Sequence, residues 1–487
     1  MAGIAGALGK QATHSVVEQM LKTIEHRGPD TVRTCRAGEL AAGVCASNLS
    51  ADRGDGFAQD GNVTVLLDGE IYNDRADGRS DAEVVLGLYK EHGRSFPAYV
   101  DGVFACALYD GSDLILARDA VGVRPLYWGR TDHNALCFAS ELKALVGVAR
   151  EITEMPPATT FSDSCGVAGY IPRFPEVDVP AAVEDAARQV RETVLAAVRR
   201  RLADGAVGAC LLSGGLDSSI IAAAAKQLGA DLPLITVGME GAPDLANAKI
   251  MAGHLGMAHH VLLYDAEQIR QSVPRAVYTL ESFDEDCISG AISNLFASAK
   301  AREFTNCILS GEGGDELFGG YHLLKDLPGD TERLRMMERL IAIAHNTALQ
   351  RLDRAMMGNS INYRTPFIDT KVMALALQVP VQWKIRDSGN GKLVEKWILR
   401  EAFKELLPEE ICSREKLRFS AGTGTDDLMD RLAGENTNGS ELSEESRTTS
   451  EGYYLNSPKE LWYYRLFKER FPDPQFERLV GRWDPGK

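Results

Sequence analysis

The feature that most constrains this chain is the stretch Ala206-Val207-Gly208-Ala209-Cys210-Leu211-Leu212-Ser213-Gly214-Gly215-Leu216-Asp217-Ser218-Ser219. Residues 207–212 are an apolar run without a polar face, the pattern of a strand buried on both sides of a parallel sheet. Ser213-Gly214-Gly215 then makes a sharp turn in which backbone N–H groups come together without Cβ obstruction. Ser218 and Ser219 open a helix over residues 220–228, which stops at Gly229. A strand, a glycine turn and a helix N-terminus form a seat for an anion, because unpaired N–H groups and the helix dipole both point at it. It is not a Walker loop, since no G-x-x-x-x-G-K-[ST] occurs in the chain.

Strand and helix signals alternate after this stretch. Residues 232–237 read as a strand, 244–255 as a helix ending at Gly256, and 259–264 as a strand; residues 307–309 run into a second glycine loop. A helix over 181–202 precedes the stretch, with Val183, Val190, Val194, Val198 and Leu202 on one stripe. This alternation predicts an α/β fold with a doubly wound parallel sheet. Ligands of such sheets sit beyond the carboxyl ends of the strands. Leu212, Val237-Gly238-Met239 and Ser310-Gly311 lie at those ends. From residue 331 onward the pattern is helical, over 332–350, 370–377, 392–406 and 459–471. Residues 434–452, dense in Ser, Thr, Glu, Asn and Gly, are expected to be a mobile loop able to close over the site.

A chain of 487 residues is too long for one core. The boundaries fall at 1–170 and 181–487, with a Pro- and Gly-rich connection over 167–179. The first part is strand-rich, over 63–69, 103–109, 114–118 and 135–139, with helices over 15–24 and 81–92. A net charge of −16 makes duplex nucleic acid and anionic membrane poor partners. No run is long enough to span a bilayer. Nine scattered cysteines without C-x-x-C pairs argue against zinc and against a disulfide scaffold, and suit a cytoplasmic setting.

The S-G-G-x-D-S-S pattern of residues 213–219 resembles the pyrophosphate loop of enzymes that split ATP between its α- and β-phosphates. Other landmarks run along the whole chain. They include Ala2-Gly3-Ile4-Ala5-Gly6, His26-Arg27-Gly28-Pro29-Asp30, Asp68-Gly69-Glu70-Ile71-Tyr72-Asn73, Ser140-Glu141-Leu142-Lys143 and Ser310-Gly311-Glu312-Gly313-Gly314-Asp315-Glu316. Tyr363-Arg364-Thr365-Pro366-Phe367-Ile368-Asp369, Gly389-Asn390-Gly391-Lys392, Lys396-Trp397-Ile398-Leu399-Arg400 and Arg414-Glu415-Lys416-Leu417-Arg418-Phe419 follow. In these motifs the chain resembles the asparagine synthetase and β-lactam synthetase family. The resemblance implies an N-terminal-nucleophile αββα sandwich of the class II glutamine amidotransferase type, then an ATP-pyrophosphatase domain. It implies an AMP-forming carbon–nitrogen ligase using ATP and Mg²⁺ on a small carboxylic acid and ammonia or another small amine, and a homodimer. It places the nucleotide against Leu212, Ser213, Gly214, Gly215, Asp217, Ser218, Ser219, Val237, Gly238, Ser310 and Gly311. It gives Mg²⁺ to Asp217 and Asp315, assigns Glu312 to amine activation, and Lys416 to transition-state charge. β-Lactam synthetases carry Tyr where this chain has Glu312, which favours a small amine nucleophile over ring closure.

The chain departs from the family in the amino-terminal half. The family's nucleophile, a cysteine after the initiator Met, is Ala2. The carboxylate-gripping arginine is Asn48, which carries no charge. The oxyanion segment Asn-Gly-Glu is Asp68-Gly69-Glu70, and an ionised Asp68 repels a developing oxyanion. Glu70 and Asp81, the family's holders of the glutamine amino group, are kept, and Arg53 offers a displaced clamp. Two explanations stand: a nucleophile Cys-to-Ala variant of a glutamine-hydrolysing asparagine synthetase, or a glutaminase-like domain that has lost its activity. Asn48 and Asp68 favour the second. In the other half, Asn362 replaces a usual Glu, which leaves the acid substrate open. A non-catalytic nucleotide-binding protein is the reading from another class; the retained Asp217, Glu312, Asp315 and Lys416 speak against it.

Overall fold

A computed structural model describes residues 2–10, 12–49, 51–74, 78–389, 391–437 and 447–483. The chain forms two compact units. One comprises Met1–Arg173 together with Lys468–Val480, and the other Phe174–Phe467 with Gly481–Lys487. The carboxy-terminal segment that the sequence reading placed in the second domain is thus shared: residues 468–480 belong to the first unit, where Gln475 Oε1 accepts from the Ile152 N–H at 3.2 Å.

The first unit is a pair of six-stranded antiparallel sheets. One runs in the order Arg150–Glu154, Tyr127–Arg130, Leu136–Ala139, Ala2–Leu8, Leu40–Ala46, Thr31–Ala37. The other runs Gly166–Gly169, Thr159–Ser162, Leu114–Arg118, Gly102–Tyr109, Val63–Ile71, Phe57–Asp60. Their facing sides form one core, with Ile4, Ala42 and Val44 meeting Leu66, Ala107 and Leu116. Within the first sheet, Gly6 leaves room for its cross-strand neighbour: a Cβ there would lie 2.6 Å from the Phe138 ring. Helix His14–Thr23 packs on the first sheet and Asp81–His92 on the second, giving the αββα layering. Asp81–His92 begins at a capping box between Ser80 and Glu83, worth about 1 kcal/mol. Residues 167–169, at the start of the expected connection, belong instead to Gly166–Gly169, the edge strand of the second sheet.

The second unit is built on a five-stranded, wholly parallel sheet in the order His259–Leu263, Leu234–Gly238, Ala209–Leu211, Cys307–Leu309, Asn362–Arg364. The chain enters at the central strand, builds outward to one side, then returns to build the other. Strand order therefore reverses between Ala209–Leu211 and Cys307–Leu309, and a crevice opens beyond their carboxyl ends. Asn362–Arg364 is a strand the sequence reading passed over, because three residues carry no periodicity. The helix after the first loop starts at Leu216, not at residue 220, with Gly215 as its cap. The expected helix over 332–350 is broken into Asp330–Ile343 and Ala348–Met357 by a 3₁₀ turn. Residues 392–406 start as the strand Leu393–Val394 and become helical at Trp397–Phe403. Residues 434–452 were expected to be one loop. Helix Asp426–Asn436 reaches into them and a bridge joins Thr448 to Tyr454; residues 438–446 lie outside the described residues, as does Asn390.

Candidate active site

The two glycine loops leave the two central strands side by side, and their backbones touch. Gly214 sits at φ 74°, where a Cβ would lie 2.5 Å from the Ala248 nitrogen. A Cβ on Gly311 would lie 2.7 Å from the Asp217 carbonyl carbon, and one on Gly314 would lie 2.6 Å from Asp217 Oδ1. The first loop is held from within: the Ser213 N–H donates to Ser218 Oγ at 3.1 Å, and the Gly215 N–H to Ser213 Oγ at 3.3 Å. Arg414 ties it from outside, donating to the Gly214 carbonyl at 2.7 Å and pairing with Asp244. Asp217 thereby stands in the first turn of Leu216–Gln227, facing the second loop.

Between the loops lies an alternating charge cluster. Lys396 Nζ bridges Asp217 Oδ2 and Asp315 Oδ1, the latter at 2.6 Å, and Lys416 Nζ meets Asp315 Oδ2 at 2.7 Å. Burial alone would raise the Asp315 carboxyl, but Lys396 and Lys416 hold it well below the usual carboxylate range. Asp217 goes the other way: burial raises it, and the Asp315 charge adds to that against the pull of Lys396. Burial works against the charge on Lys416, yet Asp315 and Asp217 drive its affinity for a proton above that of a free lysine. Glu312 is raised by burial, opposed chiefly by Arg351, whose Nη2 lies 3.3 Å from Glu312 Oε1. Burial pushes Glu316 up to about 7, with Asp315 and Glu312 adding to the rise. Asp217 Oδ1 is buried and has no hydrogen-bond partner. Lys396 occupies a left-handed backbone position, φ 52°, at the cap of Trp397–Phe403, a strained setting that the cluster compensates.

A cleft of about 760 Å³ opens over this cluster. Of the residues singled out in the sequence, Leu212, Ser213, Asp217, Ser218, Val237, Ser310, Gly311, Glu312, Asp315 and Lys416 line it. Gly215 lines a smaller recess with Lys396, Arg400 and Arg414. Gly214 and Gly238 serve the loop and strand backbone, and Ser219 is fully buried, so these three do not face the cleft. A second compartment, about 910 Å³, shares Glu312, Asp315, Arg351 and Lys416 with the first. Lys396 and Arg351 were not singled out for the site. Lys396 stood within a quoted motif, but only folding puts its ammonium between two aspartates from other loops.

In the first unit, Ala2 is buried and pairs with Ala46. Asp68 is fully buried and bound by Arg27 Nη2 at 2.9 Å, while Arg27 Nη1 holds Glu141 at 2.8 Å. Asn48 is exposed, and its N–H donates to Asp30. Arg53 lies 3.1 Å from Asp81 Oδ2 and 4.0 Å from Glu70 Oε2, and Tyr72 Oη donates to Glu70 Oε2 at 2.6 Å. The retained carboxylates are thus met by a cation of the chain itself. Cys45 sits under Gly3, and burial pushes its thiol up to about 12. Among the described residues no group of three or more His, Cys, Asp or Glu is placed to hold a metal, and no helix is long and apolar enough to cross a membrane.

Two loops enclosing a carboxylate–ammonium cluster at the switch point of a parallel sheet, on one chain with a two-sheet αββα unit, define a class: ATP-dependent ligases that carry an amidotransferase-type domain. A glutamine amidotransferase domain family matches residues 1–162, and the asparagine synthase family matches residues 189–337 and 325–473. Asparagine synthetase (glutamine-hydrolyzing) 2 and 3 of Arabidopsis thaliana are 31% and 32% identical, each over 97% of this chain and 87% of its own length. Asparagine synthetase B (glutamine-hydrolyzing) of Escherichia coli (strain K12) is 31% identical over 95% of this chain and 89% of its own. The chain belongs to the asparagine synthetase family.

Proposed function

We propose that this protein is an AMP-forming amide ligase that takes its nitrogen from free ammonia or a small amine, its amidotransferase-type unit having lost glutamine hydrolysis. The observation that carries the ligase reading is the cluster of Asp217, Asp315, Lys396 and Lys416 at the crevice where strand order reverses. The glycine turn and helix N-terminus bind the phosphates of ATP. Lys416 and Lys396 balance charge that develops on the α-phosphate and leaving pyrophosphate as the substrate carboxylate attacks. Glu312, on the rim shared by both compartments, takes the proton from the amine that then attacks the acyl carbon. The unpartnered Asp217 Oδ1 beside Asp315 suits a Mg²⁺ held by one or two carboxylates and by substrate phosphates. That ion, when bound, supplies charge neutralisation to the pyrophosphate. The test is carboxylate-dependent exchange of labelled pyrophosphate into ATP across a panel of acids beginning with L-aspartate. Exchange is expected with at least one acid; release of ADP and phosphate instead refutes the reading.

Loss of glutamine hydrolysis is supported by three departures at one place and by Arg53, which occupies the carboxylates an amino group would need. A bare nucleophile replacement does not repair that. Ala2→Cys is expected to leave glutamate release from glutamine at background, with ammonia-dependent turnover unchanged. Strong glutamine-dependent turnover in that variant would instead support the reading of the chain as a nucleophile Cys-to-Ala variant of a glutamine-hydrolysing enzyme.

A further inference from the structure

Within the second unit, the carboxy-terminal tail comes back to the active site. Arg482 Nη2 pairs with Glu460 Oε1 at 2.5 Å, and its Nη1 donates to the Tyr454 carbonyl at 2.8 Å. The Trp483 N–H donates to Asp284 Oδ2 at 2.8 Å. Asp284 is buried, and its other oxygen caps helix Glu285–Ala301 through the Cys287 N–H at 2.8 Å. One carboxylate therefore fixes both the tail and the helix that carries Asp286. The Trp483 indole reaches the second compartment and lies against Tyr321, ring centroids 5.2 Å apart at 33°. Tyr321 follows the second glycine loop, and its hydroxyl donates to Glu316 Oε1 at 2.5 Å. An aromatic pair thus ties the tail to the loop that bears Glu312 and Asp315.

The rest of that compartment is of mixed character: Leu323 and Ala348 are apolar, Asp286 and Glu312 acidic, Arg351 and Lys416 basic. Such a lining offers apolar surface to the body of an acid and charged groups to its ionic ends. It opens onto Lys416 and Asp315, where a carboxylate would be activated.

We infer that Trp483 is a specificity-determining residue of the ligase site: presented by the tail, it walls the acid-substrate compartment and selects an amine-bearing carboxylic acid with an apolar or aromatic body. This rests on the ligase reading above. Truncation of the indole removes the wall but touches neither the phosphate loop nor the lysines.

The experiment is pyrophosphate exchange by the full chain with L-aspartate, L-glutamate, L-phenylalanine and L-tryptophan as acids, in wild type, Trp483→Ala and Trp483→Phe. Wild type is expected to favour an acid with an apolar body. Trp483→Ala is expected to raise the KM for that acid about tenfold, with the KM for ATP unchanged, and Trp483→Phe to restore most of the loss. An effect equal across acids, or confined to the KM for ATP, overturns the assignment and leaves the ligase reading standing, as does wild-type preference for L-aspartate. Failure of wild type to exchange with any acid overturns both. Circular dichroism melts of the variants identify a loss caused by unfolding; Trp483→Phe, folded and active on the same acid, then decides the question.

Discussion

Asp217→Asn is expected to lower acid-dependent pyrophosphate exchange by about 10²–10³-fold, the usual cost of removing one preorganised electrostatic contact from a reacting centre. The substitution keeps the size of the side chain, so the touching loop backbones at Gly311 and Gly314 need not move. What changes is charge. Asp217 shares the Lys396 ammonium with Asp315, and its second oxygen is unpartnered. An amide in its place leaves Lys396 less balanced and, in the proposed ligase reaction, would weaken the hold on a Mg²⁺ accompanying ATP. The fall should appear in exchange and in overall turnover alike, because it precedes acyl transfer. Exchange within threefold of wild type would remove Asp217 from the nucleotide chemistry.

Glu312→Gln is expected to separate the two half-reactions. Exchange should persist, since Glu312 pairs with Arg351 whereas the lysines of the cluster pair with Asp217 and Asp315. Amide formation should fall about 10²–10⁴-fold, the range for losing a positioned general base. Rapid-quench detection of AMP-bound acid against amide product measures both. The same residue sets a pH dependence. Burial raises its carboxyl, with Arg351 opposing. A raised carboxyl takes up its proton at a less acidic pH than an ordinary glutamate does. Amide formation by the wild type should therefore decline on acidification at a less acidic pH than an ordinary glutamate would set, a decline that Glu312→Gln should abolish in the residual activity. If Glu312→Gln suppresses exchange as strongly as amide formation, its role lies in acid binding or activation instead.

The amidotransferase-type unit holds a buried charge set of its own. Arg27, Asp68 and Glu141 are fully buried and mutually paired. Removing one partner from such a set exposes the others to an uncompensated burial cost of about 3–5 kcal/mol. These charges are part of the core, and the sheets around them are in register from Ala2 to Leu8.

Longer elements were readable in the chain: Asp81–His92, Leu114–Arg118 and Val183–Leu202 lie close to where residue pattern places them. So were the two glycine loops, since only residues without a Cβ fit where two backbones touch. Short elements were not. Asn362–Arg364 and Leu393–Val394 owe their conformation to neighbours far along the chain, and no local propensity marks them. The alanine at position 2 was legible because it is a matter of residue identity. That Arg53 turns to Asp81 and Glu70 was not, since either a clamp or a plug could have stood there.

Local chemistry along the chain thus suffices for which loops can approach a phosphate and which groups are available to do it, because backbone sterics and functional groups are properties of single residues. Which charges meet is another matter. Lys396 lies between Asp217 and Asp315, and Trp483 beside Tyr321, because parallel strands and a returning tail bring distant segments to one crevice. Such pairings depend on long-range packing, where burial strengthens each charge and penalises every one left unpaired.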